Sequence, residues 1–407
     1  MKHTTHLDKH LIHSIDQLII DTACYQPVEL LLHLNLLAYA DYEQWRMGKI
    51  AHLSDILGHN TKEIIDKLND AAMYAQSLDL LPEPVIMHPW GQSNSTQILS
   101  LCPDNIPFFS SLTKQYLRKD DNEQMDLFFD NQSLCIVKEL KQALISRNIQ
   151  AASQQFQALY QTEPEHEFFQ PAKLLLDALV NALEEEPVTD INAEMHYLLN
   201  DLTPLAQKSL SGQERDYMSL FWRRLANYID DSLYNEKTES MHSSFCFQQI
   251  PDWQAVINSI NNTTDGQNYP ELLARLALAL NKSAQHQAFI QTVCQFFWRF
   301  PATLDNTADV TFITSDTALK KIWYAFLDQE LDKQWGIQNF PGWLLLKEPG
   351  ISHYIKPTEQ TPEAFMHLQQ IILTELKEGQ QAIALRKQLN QSHPELLEFY
   401  LKSIKLK

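Results

Sequence analysis

Residues Leu134 to Pro164 read LCIVKELKQALISRNIQAASQQFQALYQTEP, and this stretch decides the predicted fold. Its two halves, LCIVKELKQALI and IQAASQQFQALY, carry apolar residues at the three- and four-residue spacing of an amphipathic helix. The short break Ser146-Arg147-Asn148 separates the halves, and the proline closes the second half. The stretch therefore predicts a helical hairpin, which is a pair of antiparallel helices joined by a tight turn.

The second predicted helix of this hairpin resembles a known repeat. Its residues Ala152, Phe156, Leu159 and Pro164 lie at the spacing 0, +4, +7 and +12. This resembles the tetratricopeptide repeat, in which a small residue, an aromatic residue, a small apolar residue and a proline hold those places. The spacing recurs twice downstream, at Phe289, Val293, Phe296 and Pro301 and at Ala382, Arg386, Leu389 and Pro394. Arg386 stands in the aromatic place, and the roughly 34-residue period of that family is not visible.

The resemblance implies an all-α fold in which helical hairpins stack into a superhelix. We predict an N-terminal helical domain over residues 1–110, followed by a tetratricopeptide-like array of hairpins over residues 111–407. The array has a candidate subdivision near residues 235–250. The boundary is placed after Leu81, because the following stretch PEPVIMHPWGQSNSTQILSLCPDNIPFF contains five prolines and many turn-forming residues. The long predicted helix before it begins at Pro27 and ends at Gly48.

The composition argues against several classes of protein. The formal net charge of the 407 residues is −19, and such a negative field repels nucleic-acid backbones and anionic membrane surfaces. The five cysteines are an odd number, lie far apart and include no CxxC pair, which favours reduced thiols in a cytosolic protein. The most apolar run, VELLLHLNLLAYA, is too short to span a bilayer. We therefore expect a cytoplasmic protein that binds neither nucleic acid nor membrane.

Motifs of nucleotide binding and hydrolysis are absent from the sequence. It contains no GxGxxG, GxxxxGK[ST], GxSxG or HExxH pattern. Such motifs place backbone amides, nucleophiles or metal ligands at a fixed spacing on one element. No cofactor is therefore predicted, and a protein without catalytic activity is favoured.

Four histidines near the N-terminus, His3, His6, His10 and His13, form the one predicted metal site. Their spacings of three and four put them on one helical face, where imidazoles can share a transition metal. The alternative is a solvated first helix whose rings lack neighbours that would orient them.

Aromatic and charged residues alternate along Tyr39-Ala40-Asp41-Tyr42-Glu43-Gln44-Trp45-Arg46. Because Tyr, Trp and Arg dominate binding hot spots, we identify Tyr39, Asp41, Tyr42, Trp45 and Arg46 as candidate binding residues. The alternative is an amphipathic helix that packs its rings inward. Arg223 and Arg224 form a basic pair that can make forked contacts with a carboxylate of a peptide, or else lie on an exposed helix face.

These observations favour a non-catalytic cytoplasmic module or scaffold that binds a protein or peptide partner. Neither the partner nor the oligomeric state is specified by the sequence. A first alternative is an α-helical enzyme with a pocket around Asp41–Arg46. A second alternative is a DNA-binding regulator that uses the helices of residues 53–72, although Glu63, Asp66 and Asp70 offset the basic residues there.

Overall fold

A computed structural model describes the chain over residues 8–22, 24–57, 61–91, 97–103, 110–118, 130–184, 187–210, 212–231, 234, 241–304, 310–375 and 380–405. Helices make up most of these residues, which confirms the all-α prediction at that level. A tetratricopeptide-like superhelical array is not confirmed. Within the described ranges, no helix has the length and apolar character required to cross a membrane.

Two compact units divide the chain. The first comprises residues 1–229 together with Gln249–Asp252, and the second comprises Asp230–Gln248 together with Trp253–Lys407. Whether residues 1–110 form a domain of their own stays a prediction.

Helices α1 to α10 belong to the first unit. They are α1 (Lys9–Thr22), α2 (Pro27–His33), α3 (Tyr39–Arg46), α4 (Thr61–Ser77), α5 (Asp130–Ile145), α6 (Ile149–Thr162), α7 (Phe169–Leu183), α8 (Ile191–Tyr197), α9 (Thr203–Leu210) and α10 (Glu214–Ala226). Four of them, α2, α3, α8 and α9, have eight residues or fewer. The single helix predicted from Pro27 to Gly48 is wrong, because a turn around Asn35 separates α2 from α3. Asn35 has a φ of 55°, a left-handed conformation that asparagine tolerates better than most residues.

The predicted hairpin of Leu134–Pro164 is present as α5 and α6. Asn148 caps α6, since its side-chain oxygen accepts a hydrogen bond from the N–H of Ala151 at 3.0 Å. Arg147, in the turn, has a φ of 57° and thus lies in the left-handed region. In α6, Ala152 and Leu159 are fully buried, as a packing role requires.

The helical segment from Ile191 to Leu210 contains a π-turn over Leu198–Leu202, between α8 and α9. Pro204 explains it, because a proline inside a regular α-helix lacks one N–H donor and its ring clashes with the carbonyl four residues earlier. A widened turn immediately before the proline relieves that clash without ending the helix.

A small antiparallel sheet of three strands accompanies the helices of the first unit. It contains β1 (Cys24–Tyr25), β2 (Leu80–Pro84) and β3 (Lys114–Arg118), in the order β1-β3-β2. Tyr116 of β3 lies opposite Tyr25 and opposite Pro82. Two of the five residues of β2 are prolines, Pro82 and Pro84, which suits a strand at the edge of a sheet.

Helices α11 to α21 follow in the second half of the chain. They are α11 (Ser243–Gln249), α12 (Trp253–Asn262), α13 (Pro270–Lys282), α14 (His286–Arg299), α15 (Thr311–Thr314), α16 (Thr317–Asp328), α17 (Leu331–Trp335), α18 (Phe340–Lys347), α19 (Glu363–Glu375), α20 (Gln380–Ser392) and α21 (Pro394–Lys405). The core of the second unit is rich in aromatic residues. Phe297 of α14 lies 4.6 Å from Phe340 and 5.4 Å from Trp323, measured between ring centroids, and all three are buried.

Candidate functional site

Most of the predicted binding residues of α3 meet in a buried network centred on Asp216 of α10. The Asp216 carboxylate, in a residue that is 6% exposed, accepts hydrogen bonds from the hydroxyls of Tyr39 (3.1 Å) and Tyr42 (2.7 Å). It also lies 3.3 Å from the guanidinium of Arg46. Tyr39, Tyr42 and Arg46 reach one acceptor because spacings of three and four place them on one face of α3. Arg215 joins Asp216 at 3.3 Å.

The turn of the α5–α6 hairpin contributes Arg147 to the same network. Its guanidinium donates to the backbone carbonyl of Asp216 at 2.9 Å and to the hydroxyl of Ser219 at 2.5 Å. The guanidinium carbon lies 3.8 Å from the ring centroid of Trp90, and that of Arg46 lies 4.9 Å from it. Trp90 therefore holds two buried cations against an aromatic ring, a contact that is stronger when desolvated.

Glu43 anchors the other side of the network. It is 1% exposed, accepts a hydrogen bond from Arg223 of α10, and lies 3.8 Å from Arg147. Arg223 also pairs with Asp252 at 2.8 Å, and Arg215 pairs with Glu29 at 3.0 Å. The ion pairs thus join arginines to carboxylates in equal number. The arginines are Arg46, Arg147, Arg215 and Arg223, and the carboxylates are Glu29, Glu43, Asp216 and Asp252.

The pKa shifts in the network favour its charged, fully paired form. Burial alone would raise the pKa of Asp216, but Arg215 and Arg46 hold it below its usual range. Burial raises the pKa of Tyr39 and of Tyr42 well above their usual values, so both hydroxyls stay protonated and donate. General acid–base catalysis at neutral pH needs a pKa near neutrality, and these shifts move the three groups away from it. The arrangement is suited to fastening α3, α10 and the hairpin turn together.

The remaining predicted residues lie in other surroundings. Asp41 is exposed at the surface, and incomplete hydration of its carboxylate, together with the negative charge of Asp252, raises its pKa. Trp45 is fully buried and donates from its indole nitrogen to the backbone carbonyl of Ser100 at 3.0 Å. Arg224 lies outside this network and lines a cavity of about 380 Å³, which Tyr197 also lines.

Sequence reasoning missed the residues that complete the network. Asp216, Arg215, Trp90 and Arg147 were not among the predicted site residues. The hydrogen bonds between Tyr39 or Tyr42 and Asp216 span 177 and 174 positions, so no local pattern indicates them. The one available signal was an arginine in a tight interhelical turn, where glycine or asparagine is the usual residue.

The structure describes only part of the predicted metal site. His3 and His6 lie outside the described residues, as does the side chain of His10, while His13 is exposed on α1. Among the residues that the structure describes, no group of three or more His, Cys, Asp or Glu side chains is placed to hold a metal ion. The four-histidine site stays a prediction.

The segment of the DNA-binding hypothesis comprises a short 3₁₀ turn, Leu53–Ile56, and helix α4. Lys62, Glu63, Asp66 and Asn69 are exposed or nearly so on α4, and Lys67 pairs with Glu63 at 2.7 Å. Basic and acidic residues therefore alternate on the face that would have to meet phosphates. DNA binding stays a hypothesis.

Three aromatic rings form a partly exposed surface between α6 and α7, and we call Phe156, Tyr160 and Phe169 the α6–α7 aromatic face. The ring centroids of Phe156 and Phe169 lie 4.7 Å apart in a stacked arrangement, and Tyr160 lies 5.8 Å from Phe169. Tyr160 is 54% exposed, and the other two are half-buried. The loop that joins the two helices carries three exposed carboxylates, Glu163, Glu165 and Glu167.

Comparisons of this chain with protein-family models, with curated proteins and with solved structures gave no match. The tetratricopeptide-like character of the hairpins therefore stays a resemblance in the sequence.

Proposed function

We propose that this chain is a non-catalytic cytoplasmic protein-interaction module whose α6–α7 aromatic face binds a basic segment of a partner protein. The observation that carries the proposal is Tyr160, a large aromatic side chain that is 54% exposed beside two stacked phenylalanines. Isolated apolar side chains are common on protein surfaces, but a preassembled group of rings is typical of interaction sites.

The rings supply contact area at a low entropic cost. Phe156 and Phe169 already stack on each other, so a partner does not have to order them. Aromatic side chains of this kind supply a large share of the energy in protein interfaces. Their electron-rich faces also attract lysine and arginine side chains, by about 0.5–1 kcal/mol at exposed sites.

The charges near the face favour a basic partner. Glu163, Glu165 and Glu167 lie in the loop between the two helices that carry the rings, and all three are exposed. The whole chain has a formal charge of −19, which steers cationic partners towards it and repels anionic ones. We therefore infer a partner segment that combines lysine or arginine with at least one large apolar residue.

Two further observations support the non-catalytic, cytoplasmic part of the proposal. The predicted pocket around Asp41–Arg46 is occupied by a paired ionic network, in which the pKa of Asp216 lies below its usual range and the pKa values of Tyr39 and Tyr42 lie above theirs. No disulfide joins the five cysteines, all of which lie in the described part of the chain. Both are consistent with a reduced protein that holds a surface in place rather than one that transfers protons.

Selection of random peptides displayed on phage against the full chain tests the proposal. The enriched peptides should share basic residues beside an apolar or aromatic residue. A synthetic peptide of that sequence should bind, by fluorescence anisotropy, at least about tenfold more weakly to Tyr160→Ala, the loss expected of an interface anchor. Replacing Glu163, Glu165 and Glu167 by glutamine should weaken binding further and reduce its salt dependence.

Matched controls come from equally exposed residues elsewhere. Tyr324 is 46% exposed on α16, so Tyr324→Ala should leave binding unchanged. The exposed residues Glu83, Glu330 and Glu359, changed together to glutamine, control for the overall loss of charge. Peptides without basic residues, or binding that the Tyr160 and loop variants leave intact, would contradict the proposal.

A further inference from the structure

We propose that the second compact unit contains a binding site for a small ligand with one flat apolar ring and a net-neutral polar head that both donates and accepts hydrogen bonds. The site is a cavity of about 480 Å³ bounded by α11, α13, α14 and α15. That volume is within the range of about 300–1,000 Å³ typical of small-molecule sites. The site shares no residue with the α6–α7 aromatic face and does not depend on the function proposed for it.

The apolar wall of the cavity consists of three phenylalanines and a leucine. Phe296 and Phe312 are nearly fully buried, and their ring centroids lie 4.8 Å apart. Phe245 of α11 and Leu278 of α13 line the same space. Phe245 is only partly buried, so an aromatic ring inserted into the cavity gains dispersion contacts with it and with the apolar wall beside it. This wall specifies the flat apolar part of the ligand.

The polar wall combines a cation and an anion on one helix. Glu271 and Arg275 line the cavity from α13, and their spacing of four residues places them one turn apart on the same face. A ligand with one net charge would be attracted by one of these groups and repelled by the other. A head that accepts from Arg275 and donates to Glu271, such as a carboxamide or an amino-acid zwitterion, is complementary to both charges.

Arg275 is held in a defined orientation, as a binding residue should be. Its Nε donates to the side-chain oxygen of Gln248 at 2.9 Å, and its Nη1 donates to the hydroxyl of Ser244 at 2.8 Å. The Ser244 hydroxyl also bonds to Nδ1 of His242 at 2.7 Å, and Nε2 of His242 bonds to the hydroxyl of Thr263 at 2.8 Å. Such a buried chain of hydrogen bonds fixes the rotamer of the arginine before a ligand arrives.

Four single-ring probes test the proposal by saturation-transfer NMR on the full chain: benzamide, phenylalanine, benzoate and benzylamine. Benzamide or phenylalanine should give the strongest signals, because their heads are net neutral. Ala274→Trp places an indole in the cavity and should weaken that binding at least about tenfold, a loss in the range by which pocket volume discriminates ligands. The control is Ala384→Trp, on an exposed position of α20 that does not line the cavity.

Two variants that each remove one charge of the polar wall distinguish a change in the site from misfolding, because a misfolded protein would bind no probe in preference to another. Glu271→Gln removes the anion, so benzoate should become the preferred probe. Arg275→Gln removes the cation, so benzylamine should become the preferred probe. The proposal is overturned if no probe gives a signal, if signals persist in Ala274→Trp, or if neither charge variant changes the order of the probes.

Discussion

The hairpins α5–α6 and α13–α14 share a backbone plan but differ in what surrounds their second helix. In both, the second residue after the first helix lies in the left-handed region, Arg147 with a φ of 57° and Ala284 with a φ of 55°. In both, the N–H of the next residue bonds back to a helical carbonyl at 2.9 Å. Two identical turns therefore carry very different side chains, an arginine and an alanine.

The second helices differ more strongly. Helix α6 buries two side chains, whereas α14 buries eight and leaves only one narrow face partly accessible. Yet both helices carry the same spacing of apolar residues that suggested a repeat. The spacing therefore shows that a helix has an apolar face, but the elements packed around the helix decide whether it lies at the surface or in the core. A surface helix can present rings to a partner, and a core helix cannot.

The largest expected effect contrasts the two second helices. Phe297→Ala in α14 removes a fully buried ring that contacts Trp323 and Phe340, and should cost about 3–5 kcal/mol of unfolding free energy. Phe156→Ala in α6 removes a half-buried ring and should cost about 1 kcal/mol. Urea denaturation monitored by circular dichroism measures both. Similar losses for the two variants would show that α6 is as enclosed as α14.

The next effect comes from the turn of the first hairpin. Arg147→Gly should destabilise the chain by about 2–4 kcal/mol, since breaking a buried ionic contact costs about 3–5 kcal/mol and relief of the left-handed conformation returns about 1 kcal/mol. Tryptophan fluorescence should also change, because the Trp90 ring loses its stacked guanidinium. Stabilisation of the protein by this substitution would mean that the network contributes less than the backbone strain at Arg147.

A smaller effect depends on pH and concerns α11. Burial lowers the pKa of His242 below its ordinary value of 6.5, Arg275 lowers it further, and Asp231 opposes the shift. The folded state therefore binds this proton less readily than the unfolded state, so the stability is complete above pH 6.5 and is lost as the pH falls through the lowered pKa. Hydrogen exchange of the α11 amides, corrected for intrinsic rates, should show constant protection above pH 6.5 and falling protection as the pH is lowered below it.

The control for this effect compares the buried His242 with the half-buried His393. Burial also lowers the pKa of His393, and Glu395 opposes that shift, so acidification destabilises both sites. His242→Gln should abolish the pH dependence of α11 protection, and His393→Gln should leave it in place. Loss of α11 protection at low pH in the His242 variant would assign the effect to another group.

The smallest expected change in stability comes from a substitution in the turn of the α13–α14 hairpin. Ala284 is exposed and has a left-handed φ, so Ala284→Gly removes the strain of a Cβ there and should stabilise the chain by about 0.5 kcal/mol, after the greater chain entropy of glycine is subtracted. Thermal denaturation measures the shift. The same substitution thus has opposite signs at Arg147 and Ala284, and equal signs would contradict the comparison.

The sequence predicted the local features well and the long-range features poorly. The hairpin of α5 and α6 follows from apolar spacing and turn residues that lie within thirty-one positions of each other. The sheet was missed because β1 has only two residues and β2 contains Pro82 and Pro84, which argue against a strand when read alone. Pairing with β3, whose residues lie 30 to 38 positions further along the chain, is what makes β2 a strand.

The candidate site shows the same limit. The face shared by Tyr39, Tyr42 and Arg46 was readable from their spacing, since a helix brings such residues together. The burial of this face could not be predicted, because the residues that cover it, Asp216 and Arg147, belong to other elements of the fold. Aromatic and charged residues on one helix face can equally form an open pocket or a closed core, and only the partner elements decide between them.

The two prolines of the edge strand β2 affect how the protein associates with copies of itself at high concentration. Pro82 and Pro84 have no N–H to offer, so a strand of a second molecule finds too few donors along β2 to continue the sheet. Such an edge resists the strand-by-strand polymerisation that exposed sheet edges otherwise promote. The two prolines therefore limit the association of copies of this chain through β2.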